Sequence, residues 1–190
     1  KKRRKRRGSQ DRRGQIIGRV CISERPECVE ARTRIGDWEA DTVIGKQGGA
    51  VLVTLAERKS RFSMISKAEN KTAAAVSAAI TKALAPLAAN VHTLTYDNGK
   101  EFAYHQKVSD GLEAKGFFAH PYHSWERGLN ENTNGLIRQY LPKGKSFDDL
   151  SDQDVQDIMD KLNNRPRKCL GFRTPNQVFL EAKSDVALAS

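Results

Sequence analysis

Residues 91–102 read VHTLTYDNGKEF, an apolar run that ends at an acid, Asp97, and continues into a tight Asn-Gly turn. A strand that presents a polar residue at its carboxyl end is typical of an open α/β sheet. Upstream, residues 37–45, 50–56 and 60–67 are rich in β-branched and aromatic side chains, and short turn sequences separate them. This pattern predicts three consecutive antiparallel strands before the strand that ends at Asp97.

The rest of the chain alternates between helix and strand and then continues in helices. The predicted elements are a helix capped by Thr72, a strand at 91–96, a helix within 100–115, a strand at 117–120, and helices that begin near 129, at Ser151 and at Thr174-Pro175. Three strands followed by this alternation predict an α/β fold with a five-stranded mixed sheet flanked by helices.

The charge of the chain is concentrated at its start. The formal net charge is +10, and nine Lys or Arg against one Asp give residues 1–13 alone a charge of +8. Such a basic chain is expected to bind a polyanion. We predict a basic, largely extended arm at 1–34, a folded core at 35–183 and a short tail at 184–190.

The cysteine content and the apolar runs restrict the compartment. Three cysteines are few and odd in number, which disfavours a disulfide scaffold and favours a reducing cytoplasm. No apolar segment follows the basic start as in a signal peptide, and the run at 50–56 is too short to span a bilayer. We therefore expect no membrane partner. Because the chain begins at Lys, we interpret it as a fragment of a longer protein.

Three separated acids are candidates for a metal site. Asp41 lies within a predicted strand, Asp97 ends another, and Glu131 follows Asp97 after 33 intervening residues, near the start of a predicted helix. Taken singly, each has an ordinary alternative: a solvated strand edge, a turn residue, or a solvated helix face. Together they form the carboxylate set that two divalent ions need, and in a basic chain the phosphodiester backbone of DNA is the expected substrate.

Helix geometry favours Glu131 over its rival Glu126 as the third acid. At about 100° per residue, Glu131, Asn134, Gly135 and Arg138 share one side of the helix, opposite its apolar residues. Glu126 lies in the preceding loop, and a loop fixes a metal ligand less firmly than a helix does.

Basic, polar and aromatic residues near these acids are candidates for contact with DNA. They are Lys100, Trp125, Arg127, Asn134, Arg138, Arg165, Arg167 and Lys168. Instead of contacting DNA, Trp125 could pack on the core. The basic cluster at 165–168 could instead be an ordinary solvated surface loop.

A zinc site would be the other way to use the histidines and cysteines of this sequence. Residues His120, His123, Cys21 and Cys28 are candidates, but their spacings match no common zinc module. We therefore do not predict one.

Four motifs carry a resemblance to a known family. They are GDWEADTVIG (36–45), TLTYDNGKEF (93–102), HPYHSWERGLNENTNG (120–135) and LNNRPRKCLGFRTP (162–175). They resemble the catalytic core of DDE transposases of bacterial insertion sequences, in particular the group whose type element is insertion sequence thirty. The resemblance covers residues 35–179. It implies a ribonuclease-H-like fold shared with retroviral integrases.

The resemblance also implies the site and the reaction. Asp41, Asp97 and Glu131 would be both the catalytic residues and the ligands of two Mg²⁺ ions, with Mn²⁺ able to substitute. The expected activity is cleavage at the inverted-repeat ends of an element and transfer of the 3′-OH strand into target DNA. The protein would act as a homo-oligomer in the bacterial cytosol or nucleoid. A helix-turn-helix region normally precedes this core, and the sequence has only a basic segment there.

Two other functions remain open at this point. One is a nuclease of the same fold that only hydrolyses DNA. The other is a DNA-binding remnant without catalytic activity, against which the three intact acids argue.

Overall fold

The order of strands and helices confirms the α/β fold and the five-stranded mixed sheet predicted from the sequence. The computed structural model of the chain describes residues 16–188. The strands are β1 (Asp37–Ile44), β2 (Val51–Glu57), β3 (Ser63–Ala68), β4 (Thr93–Tyr96) and β5 (Lys115–Phe118). The α-helices are α1 (Glu27–Ala31), α2 (Ala73–Leu84), α3 (His105–Leu112), α4 (Gly128–Ile137), α5 (Asp152–Asn163) and α6 (Pro175–Leu188).

The sheet has the strand order β3-β2-β1-β4-β5. The first three strands form the predicted antiparallel meander. β4 then pairs in parallel with β1, and β5 pairs in parallel with β4. β1 is therefore the central strand, and the carboxyl end of β4 lies beside the middle of β1.

Side chains alternate between two cores along β1, as expected for an extended strand. Trp38 and Ala40 enter the core formed with α2 and α3, and Val43 enters the core formed with α4 and α5. Asp37, Glu39 and Asp41 share the face of Val43. The acids of β1 therefore lie beneath α4.

Helix α2 closes one face of the sheet. Thr72 is its N-cap, as predicted, and its side chain accepts a hydrogen bond from the backbone N–H of Ala75. Within the part of the chain that the structure describes, one stretch, Ala73–Asn90, has the length and apolar composition of a membrane span. That stretch is α2 with the 3₁₀ turn after it, and its residues Val76, Ile80 and Leu84 are buried in the core.

Residues 16–34 differ from the extended arm that we expected. α1 lies within them, Val29 on this helix is fully buried, and Ile16 joins the first core. The backbone N–H of Phe118 donates to Val20 O over 2.8 Å, so this segment also pairs with the edge strand β5. Ile16 and Val29 are isolated apolar residues in a segment without periodicity, so the sequence did not reveal that they pack on the core. Residues 1–15, which include the whole basic run at 1–13, lie outside the described residues.

The last two helices complete the structure. Ser151 and Asp154 form the predicted capping box at the start of α5. Phe179 on α6 stacks on Phe62 and meets Trp38 edge-on. α6 continues to Leu188, so the tail that we predicted from residue 184 begins as helix.

Candidate active site

The sheet brings Asp41 and Asp97 to the same level. On the parallel strands β1 and β4, Asp37 pairs with Thr93 and Glu39 pairs with Thr95. The same offset between paired residues sets Asp97, immediately after β4, beside Asp41. Because side chains alternate along both strands, the two carboxylates also lie on the same face. The two acids therefore lie side by side, and their role as metal ligands stays a prediction.

The guanidinium of Arg127 lies between the two carboxylates. Its Nη2 is 3.2 Å from Asp97 Oδ2 and its Nη1 is 3.7 Å from Asp41 Oδ2. Nη1 also donates to Ala40 O over 3.0 Å. The residue is only 8% exposed. Arg127 was expected to contact DNA, but in this structure its charged group is buried against the two acids.

Asn134 on α4 holds the carboxylate of Asp41. Its Nδ2 donates to Asp41 Oδ2 over 2.9 Å, and its Oδ1 accepts a hydrogen bond of 3.0 Å from the hydroxyl of Thr54. The backbone N–H of Thr42 donates to the other carboxylate oxygen of Asp41 over 2.8 Å. Asn134 was also expected to contact DNA, and here both ends of its amide are engaged within the protein.

Glu131 lies in the first turn of α4, one turn before Asn134, and is exposed. The predicted helix face is confirmed, since Leu129, Thr133 and Ile137 on the opposite side are buried. Among the described residues, none forms a hydrogen bond or ion pair with the carboxylate of Glu131. The three acids do not form one compact group, because no three of their ligand atoms lie within 4.8 Å of one another.

The rival acid Glu126 is engaged elsewhere. Its Oε2 accepts a hydrogen bond of 2.8 Å from the backbone N–H of His120, and its Oε1 lies 2.8 Å from His120 Nδ1. Glu131, whose carboxylate has no such partner within residues 16–188, remains our choice for the third acid.

A fourth acid near the site, Glu101, was not singled out from the sequence. It is 7% exposed, pairs with Lys71 Nζ over 2.8 Å and accepts a hydrogen bond of 3.1 Å from the hydroxyl of Thr42. A Cβ at Gly99 would come within 2.5 Å of the Glu101 carboxylate and 2.8 Å of Asp97 Oδ1. The glycine in the YDNGKEF motif thus leaves room for two carboxylates, which was the signal available in the sequence.

The pKa of Asp41 reflects first its burial and then the neighbouring acids. Burial raises the pKa of Asp41, and the negative charges of Asp97 and Glu101 act in the same direction. Arg127 and the backbone N–H of Thr42 oppose the shift, and the net direction is upward. A cation is therefore favoured next to Asp41, and Arg127 supplies one.

The donor set fits a divalent metal ion. Asp41 and Asp97 offer only carboxylate oxygens, the ligands that Mg²⁺ prefers, and a cationic group already bridges them. Glu131, on the helix that Asn134 joins to Asp41, offers a third carboxylate.

The other residues expected to bind DNA lie on or near the surface. Lys100, Arg165 and Lys168 are exposed. Arg138 donates to Ile44 O over 2.6 Å, and Arg167 donates to Leu162 O over 3.1 Å. Burial lowers the pKa of Arg167, and the neighbouring Arg165 adds to this shift. Their contact with DNA stays a prediction.

Trp125 does not pack on the core, which was the alternative to its role in DNA binding. It is 69% exposed, and its ring lies 4.4 Å from the ring of His123. Together with Arg167 it lines a cavity of about 720 Å³ beside α4. A second cavity, of about 400 Å³, is lined by Asp97, Arg127 and the loop that begins at His120.

Sequence comparison relates the chain to transposases. It is 49% identical over 180 residues to the transposase for insertion sequence element IS4351 of Bacteroides fragilis, covering 94% of this chain and 55% of that protein. The transposase for IS1086 of Cupriavidus metallidurans is 42% identical, over 90% of this chain and 51% of that protein. Transposase InsI for IS30A of Escherichia coli is 36% identical, with 86% and 43% covered. The chain thus spans about half the length of the curated relatives it matches. No family model matches it.

Comparison with solved structures confirms the ribonuclease-H-like fold. The catalytic core domain of BIV integrase superposes with a TM-score of 0.59 at 20% identity, covering 80% of this chain and 98% of that one. A chain of the simian T-cell lymphotropic virus intasome, in complex with PP2A regulatory subunit B56 gamma, gives a TM-score of 0.60 at 20% identity, with 76% and 54% covered. The fold is that of a retroviral integrase catalytic core.

Proposed function

We propose that this chain, a homologue of the transposases of IS4351, IS1086 and IS30, is the catalytic core of a DDE transposase. It would cleave DNA at the ends of a mobile element and join the freed 3′ ends to target DNA. The observation that supports this most is the pair Asp41 and Asp97, level on adjacent parallel strands and tied to the helix of Glu131 by Asn134.

The two reactions are the same displacement with different nucleophiles. In the first, water attacks the phosphorus at the element end, the P–O3′ bond breaks and a 3′-OH is released. In the second, that 3′-OH attacks a phosphorus of the target, so that one phosphodiester bond forms as another breaks. Neither reaction needs a nucleophile from the protein, and the site offers carboxylates instead.

Asp41, Asp97 and Glu131 would hold two Mg²⁺ ions, for which Mn²⁺ would substitute. When bound, such ions lower the pKa of the attacking hydroxyl and stabilise the leaving oxygen. The protein fixes the ligands. Asn134 orients Asp41, and the backbone N–H of Gly99 donates to Asp97 Oδ1 over 2.7 Å.

Arg127 has a separate role in this proposal. Its guanidinium offsets part of the negative charge of Asp41 and Asp97. A metal ion held by these acids would supply that charge instead, and the Arg127 side chain would then be available to a DNA phosphate, for which the planar guanidinium is well suited.

The remaining basic residues would hold the DNA backbone. Lys100 lies next to the site, Arg138 lies on α4, and Trp125 offers an exposed ring for an unpaired base. The cluster Arg165, Arg167 and Lys168 would bind further phosphates. Because a mobile element has two ends, we propose that two or more copies of the chain act together on DNA in the bacterial cytosol.

Metal-dependent cleavage tests this proposal. The substrate is a duplex carrying the inverted repeat found beside the gene, and the product is the nicked strand. We expect cleavage with Mg²⁺ and a loss by orders of magnitude in Asp97→Asn, which removes a charged ligand but keeps the shape. Asp110→Asn, at an exposed acid on α3, is the matched control and should cleave normally. Normal cleavage by Asp97→Asn would refute the assignment.

A further inference from the structure

The loop between β5 and α4 contains a second group of metal-ligating side chains. In this loop, His120 Nδ1 lies 2.8 Å and His123 Nδ1 lies 3.6 Å from the same atom, Glu126 Oε1. One ligand atom from each residue lies within 4.8 Å of the other two, and no other such group occurs in residues 16–188. Ligands of a single small ion approach one another to this extent.

The environment of the two histidines differs from that of an ordinary surface ion pair. His123 Nδ1 is inaccessible to solvent and has no hydrogen-bond partner among the described residues. Its side chain as a whole is 42% exposed, so the ring is accessible while this nitrogen points inward. A buried ring nitrogen without a partner loses its hydrogen bond to water, and a metal ion would replace that interaction.

The other nitrogen of His120 is held by a segment distant in the sequence. His120 Nε2 lies 3.1 Å from Ser23 Oγ and 3.3 Å from Cys21 Sγ. The backbone of Cys21 is itself held in place, because it forms a β-bridge with Phe118 on the edge strand of the sheet. A histidine that binds a metal through one nitrogen usually has its other nitrogen held by a neighbour in this way.

We propose that the loop binds one Zn²⁺ ion, or a similar transition-metal ion, through His120 Nδ1, His123 Nδ1 and a carboxylate oxygen of Glu126. Two imidazole nitrogens and one carboxylate are an established ligand set for zinc, with water in the fourth position. His120 would bind as the neutral ring with its proton on Nε2, facing Ser23, so a doubly protonated ring would release its Nδ1 proton to solvent as the metal–nitrogen bond forms. Cys21 and Ser23 stay outside the ligand set, since they face the other nitrogen of the His120 ring.

This site is chemically distinct from the carboxylates of the proposed active site. Nitrogen ligands select zinc and related ions, whereas Mg²⁺ prefers oxygen ligands and water. Sequence spacing did not predict the site, because the ligands follow one another at three-residue intervals in a loop and the supporting Cys21 lies 99 residues before His120.

The position of the loop suggests what the ion does. Glu126 is followed directly by Arg127, which contacts Asp97, and both His120 and His123 line the cavity that contains Asp97. An ion bound to residues 120, 123 and 126 would therefore fix the loop that carries Arg127 and leads into α4. The inference rests on the geometry of this loop and not on the proposed transposase activity.

Zinc binding to the full chain tests the site without any DNA. After removal of metals with a chelator, Zn²⁺ is titrated in competition with a chromophoric chelator, and Co²⁺ absorption reports on tetrahedral coordination. We expect one Zn²⁺ per chain, and binding at least about tenfold weaker in His123→Ala and in Glu126→Gln. His123 is half-exposed, so its variant is expected to fold, and circular dichroism of each metal-free variant checks this.

Two controls separate this site from the rest of the protein. His92→Ala removes an exposed histidine elsewhere, and Asp97→Asn alters the proposed magnesium site. Both should bind Zn²⁺ as the unaltered chain does. The inference is overturned if Zn²⁺ fails to bind, if His123→Ala and Glu126→Gln bind it with unchanged affinity, or if Asp97→Asn loses it while those two variants keep it.

Discussion

The side-chain amide of Asn134 on α4 donates to the carboxylate of Asp41 on β1 over 2.9 Å. This contact joins the helix that carries Glu131 to the central strand of the sheet. The hydroxyl of Thr54 on β2 donates to the other end of the same amide and so fixes its orientation. Asn134 is thus one of the contacts that set the position of the helix of the third acid relative to the first acid.

Replacing that asparagine should weaken catalysis without weakening DNA binding. In Asn134→Ala, Asp41 loses the donor that orients it, and we expect cleavage to fall about ten- to hundredfold, as for other groups that support a metal ligand. Cleavage rates and DNA affinity are measured on the same duplex. Asn132→Ala, at an exposed position of α4, is the control. Equal cleavage by the two variants would show that the contact has no functional role.

The choice of Glu131 over Glu126 as third acid can be tested by matched substitutions. Glu131→Gln should abolish Mg²⁺-dependent cleavage, because it removes a charged ligand from the proposed metal pair. Glu126→Gln should be mild, because this carboxylate contacts His120 and His123 instead. Single-turnover cleavage at saturating DNA measures both. If Glu131→Gln kept full activity, or if only Glu126→Gln lost activity, Glu126 would replace Glu131 as the third acid.

Arg127 provides a prediction about stability. Arg127→Gln leaves Asp41 and Asp97 close together without a counter-charge, so the metal-free protein should unfold more easily. A fully buried pair costs 3–5 kcal/mol to break, and we expect about 2 kcal/mol here because Asp97 is partly exposed. Added Mg²⁺ should raise the melting temperature of this variant more than that of the unaltered chain, since ion binding stabilises the folded state.

The control for this measurement is Arg165→Gln, which alters an exposed arginine. Its melting temperature should respond to Mg²⁺ as the unaltered chain does. If Arg127→Gln also responded in the same way, Arg127 would not occupy the place of a metal ion.

The basic start of the chain should control the salt dependence of DNA binding. Residues 1–13 carry +8 of the net charge of +10. Each phosphate neutralised adds about 0.9 to the slope of log affinity against log salt concentration, and not every cation reaches a phosphate at once. Deleting these residues should therefore flatten the slope by roughly 3–6. An unchanged slope would assign the affinity to the folded core, including Arg138 and Arg165.

Much of the fold could be predicted because strand alternation and helix caps are local signals. The three strands of the meander, the cap at Thr72 and the capping box at Ser151 all follow from neighbouring residues. α1 could not be predicted in this way: Val29 on this helix is fully buried, and its carbonyl accepts a hydrogen bond from the distant Arg58. Packing of that kind leaves no periodic signal in the sequence.

The sequence pointed to the acids of the candidate site but not to the groups that hold them. Asp97 follows from the end of a predicted strand, and Asp41, within a strand, from the motif that carries the resemblance. The roles of Arg127 and Asn134 do not, because a polar residue near a predicted site can equally contact the substrate or a neighbouring side chain. Only the folded arrangement decides between the two, and here both residues contact the acids.

Strand transfer from a pre-cut element end tests the central claim most directly. The substrate is a duplex with a free 3′-OH at the inverted repeat, the target is a supercoiled plasmid, and the measured product is the covalent joint between them. We predict joined product that depends on Mg²⁺ and is absent in Asp97→Asn. Target DNA that is hydrolysed but never joined would contradict the account and would identify the protein as a nuclease of the same fold.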